Sequence, residues 1–207
     1  MGLSNRPVCK MCRREGTKLY LKSDRCDTPK CALERRKYIP GQHGPVSRIK
    51  LSEYGIRLRE KQKMKRFFNI SEAQSRRYYD MASNMHGDTG EEMLQLMERR
   101  LDNVVFRCGL SDTRRQSRLL VNHGHFLVNG KKVDIPAYLV KVNDVVSIRE
   151  RSGKSFESLI LKNEKKQSVT WIESDSKANK YKLVRVPTRE EMDVPVNVQF
   201  IVEYYSR

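Results

Sequence analysis

Four of the five cysteines in this 207-residue chain fall within its first 31 positions, as Cys9-Lys-Met-Cys12 and Cys26-Asp-Thr-Pro-Lys-Cys31. Two close pairs separated by a 13-residue loop converge four sulfurs on one tetrahedral cation, the usual way of holding structural zinc. Four thiolates leave no open position for water, so the ion expected on Cys9, Cys12, Cys26 and Cys31 is one structural zinc rather than a catalytic one. Such an ion contributes roughly 10–16 kcal/mol apparent at neutral pH, more than so short a segment obtains from its own core. The alternatives are an iron–sulfur cluster on the same thiolates, or unrelated reduced pairs including a redox Cys-x-x-Cys. A second pair at matching distance and the absence of a surrounding βαβ pattern weigh against the redox reading. Residues 1–6 carry no apolar leader, so the thiols are expected reduced, which argues for a metal over disulfides. Cys108, alone between Arg107 and Gly109, reads as an inert packed thiol.

The cysteine segment is also strongly basic, with Lys10, Arg13, Arg14, Lys18, Lys22, Arg25, Lys30, Arg35, Arg36 and Lys37. The whole chain sets 42 Lys and Arg against 25 Asp and Glu, a formal net charge of +17. That excess is the electrostatic footprint of a nucleic-acid binder, whose self-repulsion is relieved when phosphates neutralise it. The bland alternative is a soluble protein that is merely basic. Hydrophobic residues make up 38% of the chain, which predicts modest cores and segments that order against a partner. No apolar run approaches the ~20 residues that cross a bilayer, so no membrane partner is expected. His43, His86, His123 and His125 lie scattered without a nucleophile, and no phosphate-binding loop or hydrolase signature occurs, so no enzyme is expected.

The turn-rich Pro40-Gly41-Gln42-His43-Gly44-Pro45 closes a first unit over residues 1–45. Ser52 is placed to cap a helix reaching Phe67 and carrying Arg57, Arg59, Lys61, Lys63, Lys65 and Arg66, too many cations for a helix facing only water. A capping box, Ser71-x-x-Gln74, opens a second helix with Tyr78, Met81, Ala82 and Met85 on one packed face and Gly87 as its stop. Thr89-x-x-Glu92 opens a third, with Leu94, Met97 and Leu101 along one side. Ser111 or Asp112 caps a short helix ending at Gly124. On it Arg115, Arg118 and Asn122 share a side with Arg114 next to them, and Leu119, Leu120 and Val121 supply the packed side.

Asn129-Gly130 between Phe126-Leu127-Val128 and Lys131-Lys132-Val133 is a strong tight-hairpin signal. Asn143-Asp144 marks a turn before the strand Val145-Val146-Ser147-Ile148. Phe156, Leu159 and Ile160 predict a short helix, and Lys162 to Lys166 its solvated end. Strands are predicted at 169–172 and 181–184, with an exposed loop over 174–179 between them. The stretch from Val196 to Tyr205 is ambiguous between strand and helix. The arginine helix and the lysine-tipped hairpin suit RNA, whose deep A-form groove leaves phosphate, shape and 2′-hydroxyl contacts as the means of recognition. Guanidinium forks engage phosphates bidentately. His43 reads as an RNA contact or a turn residue, with a metal role the lesser option.

These residues resemble a known family. Residues 99–107, 114–124, Val128-Asn129-Gly130 and 143–149 closely resemble the S-four RNA-binding domain. Arg13-Arg14-Glu15-Gly16, Pro40-Gly41-Gln42-His43-Gly44, Ser52-Glu53-Tyr54-Gly55, Leu58-Arg59-Glu60-Lys61-Gln62 and the ending 201–206 resemble the bacterial small-subunit ribosomal protein S-four family over essentially the full length. With all four cysteines kept, the chain is similar to its zinc-bearing subgroup.

The resemblance implies an α+β fold, in which a mostly helical domain (46–97 with 187–207) carries an inserted S-four-type domain (98–186) of mixed or antiparallel sheet plus helices, behind an N-terminal zinc knuckle (1–45). It makes the last ten or so residues helical. It implies a cytoplasmic, monomeric constituent of the small ribosomal subunit that binds 16S-type rRNA directly and early. Its partners are then protein S-five, at an interface linked to decoding accuracy, and protein S-three together with messenger RNA, near Arg48 and Lys50. The RNA-facing residues expected are Arg13, Arg14, Lys22, Arg35, Arg36, His43, Arg57, Arg59, Lys61, Lys63, Lys65, Arg114, Arg115, Arg118, Asn122, His123, Lys131 and Lys132. An RNA-modifying enzyme with the same module, and a non-ribosomal RNA chaperone or DNA-binding zinc protein, are the rivals; 207 residues leave little room for the catalytic domain of the first.

Overall fold

Capping chemistry sets most of the helices. The computed structural model describes residues 7–46, 50–153, 156–157, 159–160, 169–175 and 179–206. Helix α1 (Val8–Glu15) stops at Gly16, whose φ of 69° lies in the left-handed region that glycine adopts without strain. A 3-10 turn (Ser23–Asp27) and the short α2 (Ala32–Arg35) follow. Ser52 accepts from the Gly55 N–H at 3.2 Å and opens α3 (Glu53–Phe68), which ends on left-handed Asn69. The expected capping box is present: Ser71 and Gln74 satisfy each other's backbone N–H groups at the start of α4 (Glu72–Ser83). Three residues thus separate α3 from α4, and caps on both sides fix the corner.

Met85 does not continue the α4 stripe. The helix ends two residues earlier, the Asn84 side chain bonding back to the Asp80 carbonyl, and Met85 is exposed. Helix α5 (Thr89–Glu98) is capped by Asp88 rather than Thr89, the Asp88 carboxylate accepting from the Glu91 N–H at 2.8 Å. It also stops short of Leu101. Arg100 is extended (φ −62°, ψ 139°) and bridges to Leu139, and α6 (Leu101–Arg107) starts afresh.

The chain divides into two compact units, residues 1–93 with 193–207 and residues 94–192. In the first, α3 packs chiefly on α8 (Val198–Tyr205), burying Met64, Phe67, Phe68, Tyr78, Ala82, Ile201 and Tyr205. The ambiguous ending is therefore helical, as the resemblance implied. Asn197 caps it by accepting from the Gln199 N–H, and the Asn197 N–H donates to Glu60 on α3 at 2.9 Å. Gly90 on α5 lies close against α8, since a Cβ there would be 2.5 Å from a Val198 methyl.

The second unit is a five-stranded antiparallel sheet in the order β2-β1-β3-β5-β4, with α6 and α7 (Arg114–Asn122) packed on each other. The strands are β1 (Phe126–Val128), β2 (Lys131–Lys132), β3 (Val145–Ile148), β4 (Ile172–Asp175) and β5 (Lys180–Leu183). Asn129 and Gly130 both take positive φ (49° and 78°), the two-residue turn whose twist suits a hairpin. Leu101, Val105, Leu110, Val121, Phe126, Val146, Trp171 and Leu183 fill the core, which Phe156, Leu159 and Ile160, helical as expected, help to cover.

Three details differ from expectation. Thr113, not Ser111 or Asp112, caps α7 by accepting from the Gln116 N–H at 3.1 Å. Leu119 is exposed rather than packed. Strand β4 starts at Ile172 and absorbs Ser174 and Asp175, which pair with Tyr181 and Lys180, so the expected loop shortens. Lys162 to Lys166 lie outside the described residues. Cys108 packs against the core, and burial pushes its thiol well above its ordinary range. Among the described residues no helix is long and apolar enough to cross a membrane. The packing separates two substitutions seven positions apart. Phe126→Ala should destabilise the protein by about 3–5 kcal/mol in urea titrations, whereas Leu119→Ala should stay within about 0.5 kcal/mol of the parent.

Candidate nucleic-acid interface

The arginine helix rests on buried carboxylates. Asp102 accepts from Arg100 twice, at Nε (3.0 Å) and Nη2 (2.6 Å), and Arg118 lies 3.9 Å from it. The Ser117 hydroxyl donates to the Asp102 carbonyl, fastening α7 to α6. Glu98, whose side chain is fully buried, receives Arg107 in a bidentate pair at 2.9 and 2.7 Å, together with the Asn103 amide. The Asn103 side-chain oxygen accepts from Arg114 Nε at 2.7 Å, and the Arg114 guanidinium lies 4.4 Å over the Phe106 ring. Burial works to raise the Glu98 carboxyl, but Arg107, Arg114 and the Asn103 amide overcome it and hold it below the ordinary carboxylate range.

Around this lattice the cations face water. Arg115 on α7 is exposed, as are Asn122, His123, Lys131 and Lys132. Gly124, at φ 70°, is where helix and hairpin meet: a Cβ there would lie 2.4 Å from Lys132 Cε, so the lysine stem runs across the glycine. Lys132 also pairs with Asp134 at 3.2 Å. His125 Nδ1 is 2.9 Å from Ser152 Oγ, and burial, then the charges of His123 and Arg151, push its pKa down. The result is a corner where Asn122 and His123 at the end of α7 meet the exposed Lys131 and Lys132 of the hairpin, suited to phosphate.

The cations of α3 are engaged inside the first unit. Arg57 pairs with Glu203 (2.6 Å) and Glu53 (3.2 Å), Arg59 with Glu15 (3.1 Å), and Lys63 with Glu60 (2.5 Å). Lys61 and Lys65 share Glu72 at 2.8 and 2.6 Å, with Lys61 buried 4.2 Å over the Tyr204 ring. Arg13 donates to the Tyr38 carbonyl at 3.0 Å and lies over that residue's ring at 4.7 Å. Arg14 is half-buried, while Lys22, Arg35, Arg36, His43 and Lys50 are exposed, and Arg48 lies outside the described residues.

Cys9 is partly buried and Cys12, Cys26 and Cys31 are buried, all four as free thiols. Burial raises the Cys12 thiol most, a backbone contact from Leu19 opposes it, and the other three sulfurs raise it further. Cys26 behaves alike, with Lys22 supplying the backbone contact. Soft sulfur donors of this kind suit zinc by their chemistry. Among the described residues, however, no three His, Cys, Asp or Glu side chains are gathered tightly enough to hold an ion.

Glu15, Glu98, Asp102 and Asn103 carry this architecture, and sequence reasoning gave none of them a role. The available signal was acids and an amide embedded in Arg-Arg-Glu-Gly and Glu-Arg-Arg-Leu-Asp-Asn, where an acid between arginines is a natural counter-ion.

A small antiparallel sheet with a basic helix anchored beside a basic hairpin defines an RNA-binding module of the S4-domain class. Residues 99–146 match the S4 domain, and residues 4–98 match the ribosomal protein S4/S9 N-terminal domain. The chain is 53% identical over 203 residues to small ribosomal subunit protein uS4 of Caldicellulosiruptor bescii, covering 97% of each chain. It is 52% identical over 204 residues to the uS4 proteins of Acetivibrio thermocellus (96% of each chain) and Thermotoga maritima (97% of each). The chain belongs to the uS4 family of small-subunit ribosomal proteins, which are structural constituents of the ribosome and not enzymes.

The lattice predicts a pH signature. A carboxyl held low in the folded state contributes stability that is complete above its ordinary range and is lost as pH falls through the folded value. Glu98→Gln should cost about 3–5 kcal/mol at neutral pH by removing the buried counter-charge of Arg107. In denaturation series, the gap between parent and variant should hold down to about pH 4–5 and close below it.

Proposed function

We propose that this protein binds small-subunit 16S-type rRNA directly and early, nucleating assembly of the subunit body around a multi-helix junction. The observation that carries this reading is the corner of exposed Asn122, His123, Lys131 and Lys132 beside Gly124, with exposed Arg115 on the same helix. Arg114 and Arg118 are aimed from the same helix by Asn103 and Asp102. Family membership and the +17 charge support the same partner. The protein works as a monomer within the small ribosomal subunit, in the cytoplasm. It meets protein S-five at an interface linked to decoding accuracy. With S-three and S-five it lines the path by which messenger RNA reaches the subunit, where Lys50 is exposed.

Cys9, Cys12, Cys26 and Cys31 would hold one zinc, whose contribution is structural: it ties α1 to the 3-10 turn and α2, which carry Arg13, Lys22, Arg35 and Arg36. The buried thiols are raised partly by one another's charge, a repulsion that a divalent cation relieves.

An rRNA junction fragment should bind far more tightly than random DNA at matched salt. If about 6–10 phosphates are neutralised, its affinity should fall roughly 10³–10⁵-fold between about 50 and 200 mM salt; a flat response or equal affinity for DNA would contradict the reading. Protein purified without chelator should carry about one equivalent of zinc by elemental analysis, lost in Cys9→Ser or Cys26→Ser.

A further inference from the structure

Asn129, at the turn between β1 and β2, is exposed, yet both ends of its side-chain amide are engaged. Its Oδ1 accepts from the Val145 N–H at 2.9 Å, and its Nδ2 donates to Asp144 Oδ1 at 2.8 Å. The other Asp144 oxygen accepts from the Lys141 N–H, also at 2.8 Å. The Asn129 N–H in turn donates to the Val145 carbonyl at 2.9 Å. Residues facing each other in an antiparallel ladder commonly exchange two backbone bonds. Here the Asn129 side chain makes the second, so β1 stays tied to β3 one residue beyond the Val128–Val146 pair while the main chain already turns at φ 49°. The turns at 129–130 and 141–144 are thereby clasped together. What the clasp steadies is β2. That strand is an edge of the sheet and consists of Lys131 and Lys132, both exposed and paired only with Val128 and Leu127 of β1. With no apolar side chain of its own to bury, so short a ribbon is weakly held by pairing alone.

We propose that Asn129 and Asp144 are positioning residues for RNA binding, whose clasp fixes the direction from which Lys131 and Lys132 meet phosphate. The inference rests on the RNA-binding reading above and deepens it at the same corner. A lysine whose backbone is already held in place gives up less conformational freedom on binding, so fixing the strand strengthens a contact without adding one. The clasp also has a polarity. Asn129 presents its acceptor end to the Val145 N–H, which leaves only the donor end for position 144, where a carboxylate answers it. Neither residue can therefore be changed alone without loss, but the two can be exchanged together.

The test measures binding of the full chain to the rRNA junction fragment across salt concentrations, for the parent, two single variants and their combination. Asn129→Asp sets two carboxylates against each other and opens the clasp, while Asp-Gly serves the turn as well as Asn-Gly. Asp144→Asn leaves one oxygen where the Asn129 and Lys141 N–H groups each used one. Either change should weaken binding about tenfold and shallow the salt slope by about 1 for each lysine disengaged. Asp144→Asn adds net positive charge, so electrostatics alone would tighten binding instead. Combining the two reverses the polarity: the new carboxylate accepts from the Val145 N–H and from the new amide, whose oxygen keeps the Lys141 N–H. Affinity and slope should then return to those of the parent. In a Lys131→Ala/Lys132→Ala background, where the clasp has no cation left to position, either single change should alter neither further. Unchanged or tighter binding in Asp144→Asn, no recovery in the combined variant, or an undiminished loss in the alanine background would each overturn the positioning role. A parent chain that fails to bind the fragment would instead count against the ribosomal reading, and the same series on a random RNA duplex would still decide the clasp. Binding to neither RNA would overturn both.

Discussion

Glu98 and Asp102 sit almost without water among Arg100, Arg107, Arg114 and Arg118, and the second unit is organised around that arrangement. A buried carboxylate is costly alone, and it is tolerated here because its oxygens are bonded by guanidinium forks or the Asn103 amide. The same bonds do geometric work. They hold the end of α5, all of α6 and the first turns of α7 in one register, so the arginines of α7 leave the core at fixed angles. A helix bearing that many cations without internal anions would repel its neighbours. With two anions beneath it, the excess charge is directed outward.

The first unit follows a related rule with another outcome. Glu15, Glu60, Glu72 and Glu203 engage the cations along α3. Exposed ion pairs are individually worth little, but several here share carboxylates or lie over aromatic rings, as Lys61 does over Tyr204. These cations bind the unit to itself. The two units thus spend similar sequence texture differently: one neutralises its basic helix, the other leaves a basic corner for a polyanion.

What the sequence revealed was local. Ser52, the Ser71/Gln74 box and Asn129-Gly130 act within four residues of themselves, and all three stand where short-range chemistry puts them. What it hid was long-range. Nothing near Arg57 announces Glu203, 146 residues away, so α3 read as a helix facing a polyanion. Nothing near Arg100 announces Leu139, so the break between α5 and α6 was invisible to periodicity. Competing caps such as Ser111, Asp112 and Thr113 are chemically alike, and only the path of the chain into α7 chooses among them. Spacing picked out the four cysteines as a set, yet how closely their sulfurs converge is decided by the turns between them.

The order of the elements along the chain has a consequence for synthesis. Helix α3 finds its main partner in α8, whose residues are translated well over a hundred codons later, after the whole of the sheet unit. A nascent chain therefore exposes the apolar side of α3, with Met64, Phe67 and Phe68, while the intervening sheet unit is free to fold. The late arrival of Ile201 and Tyr205 acts as a latch that covers this side of α3.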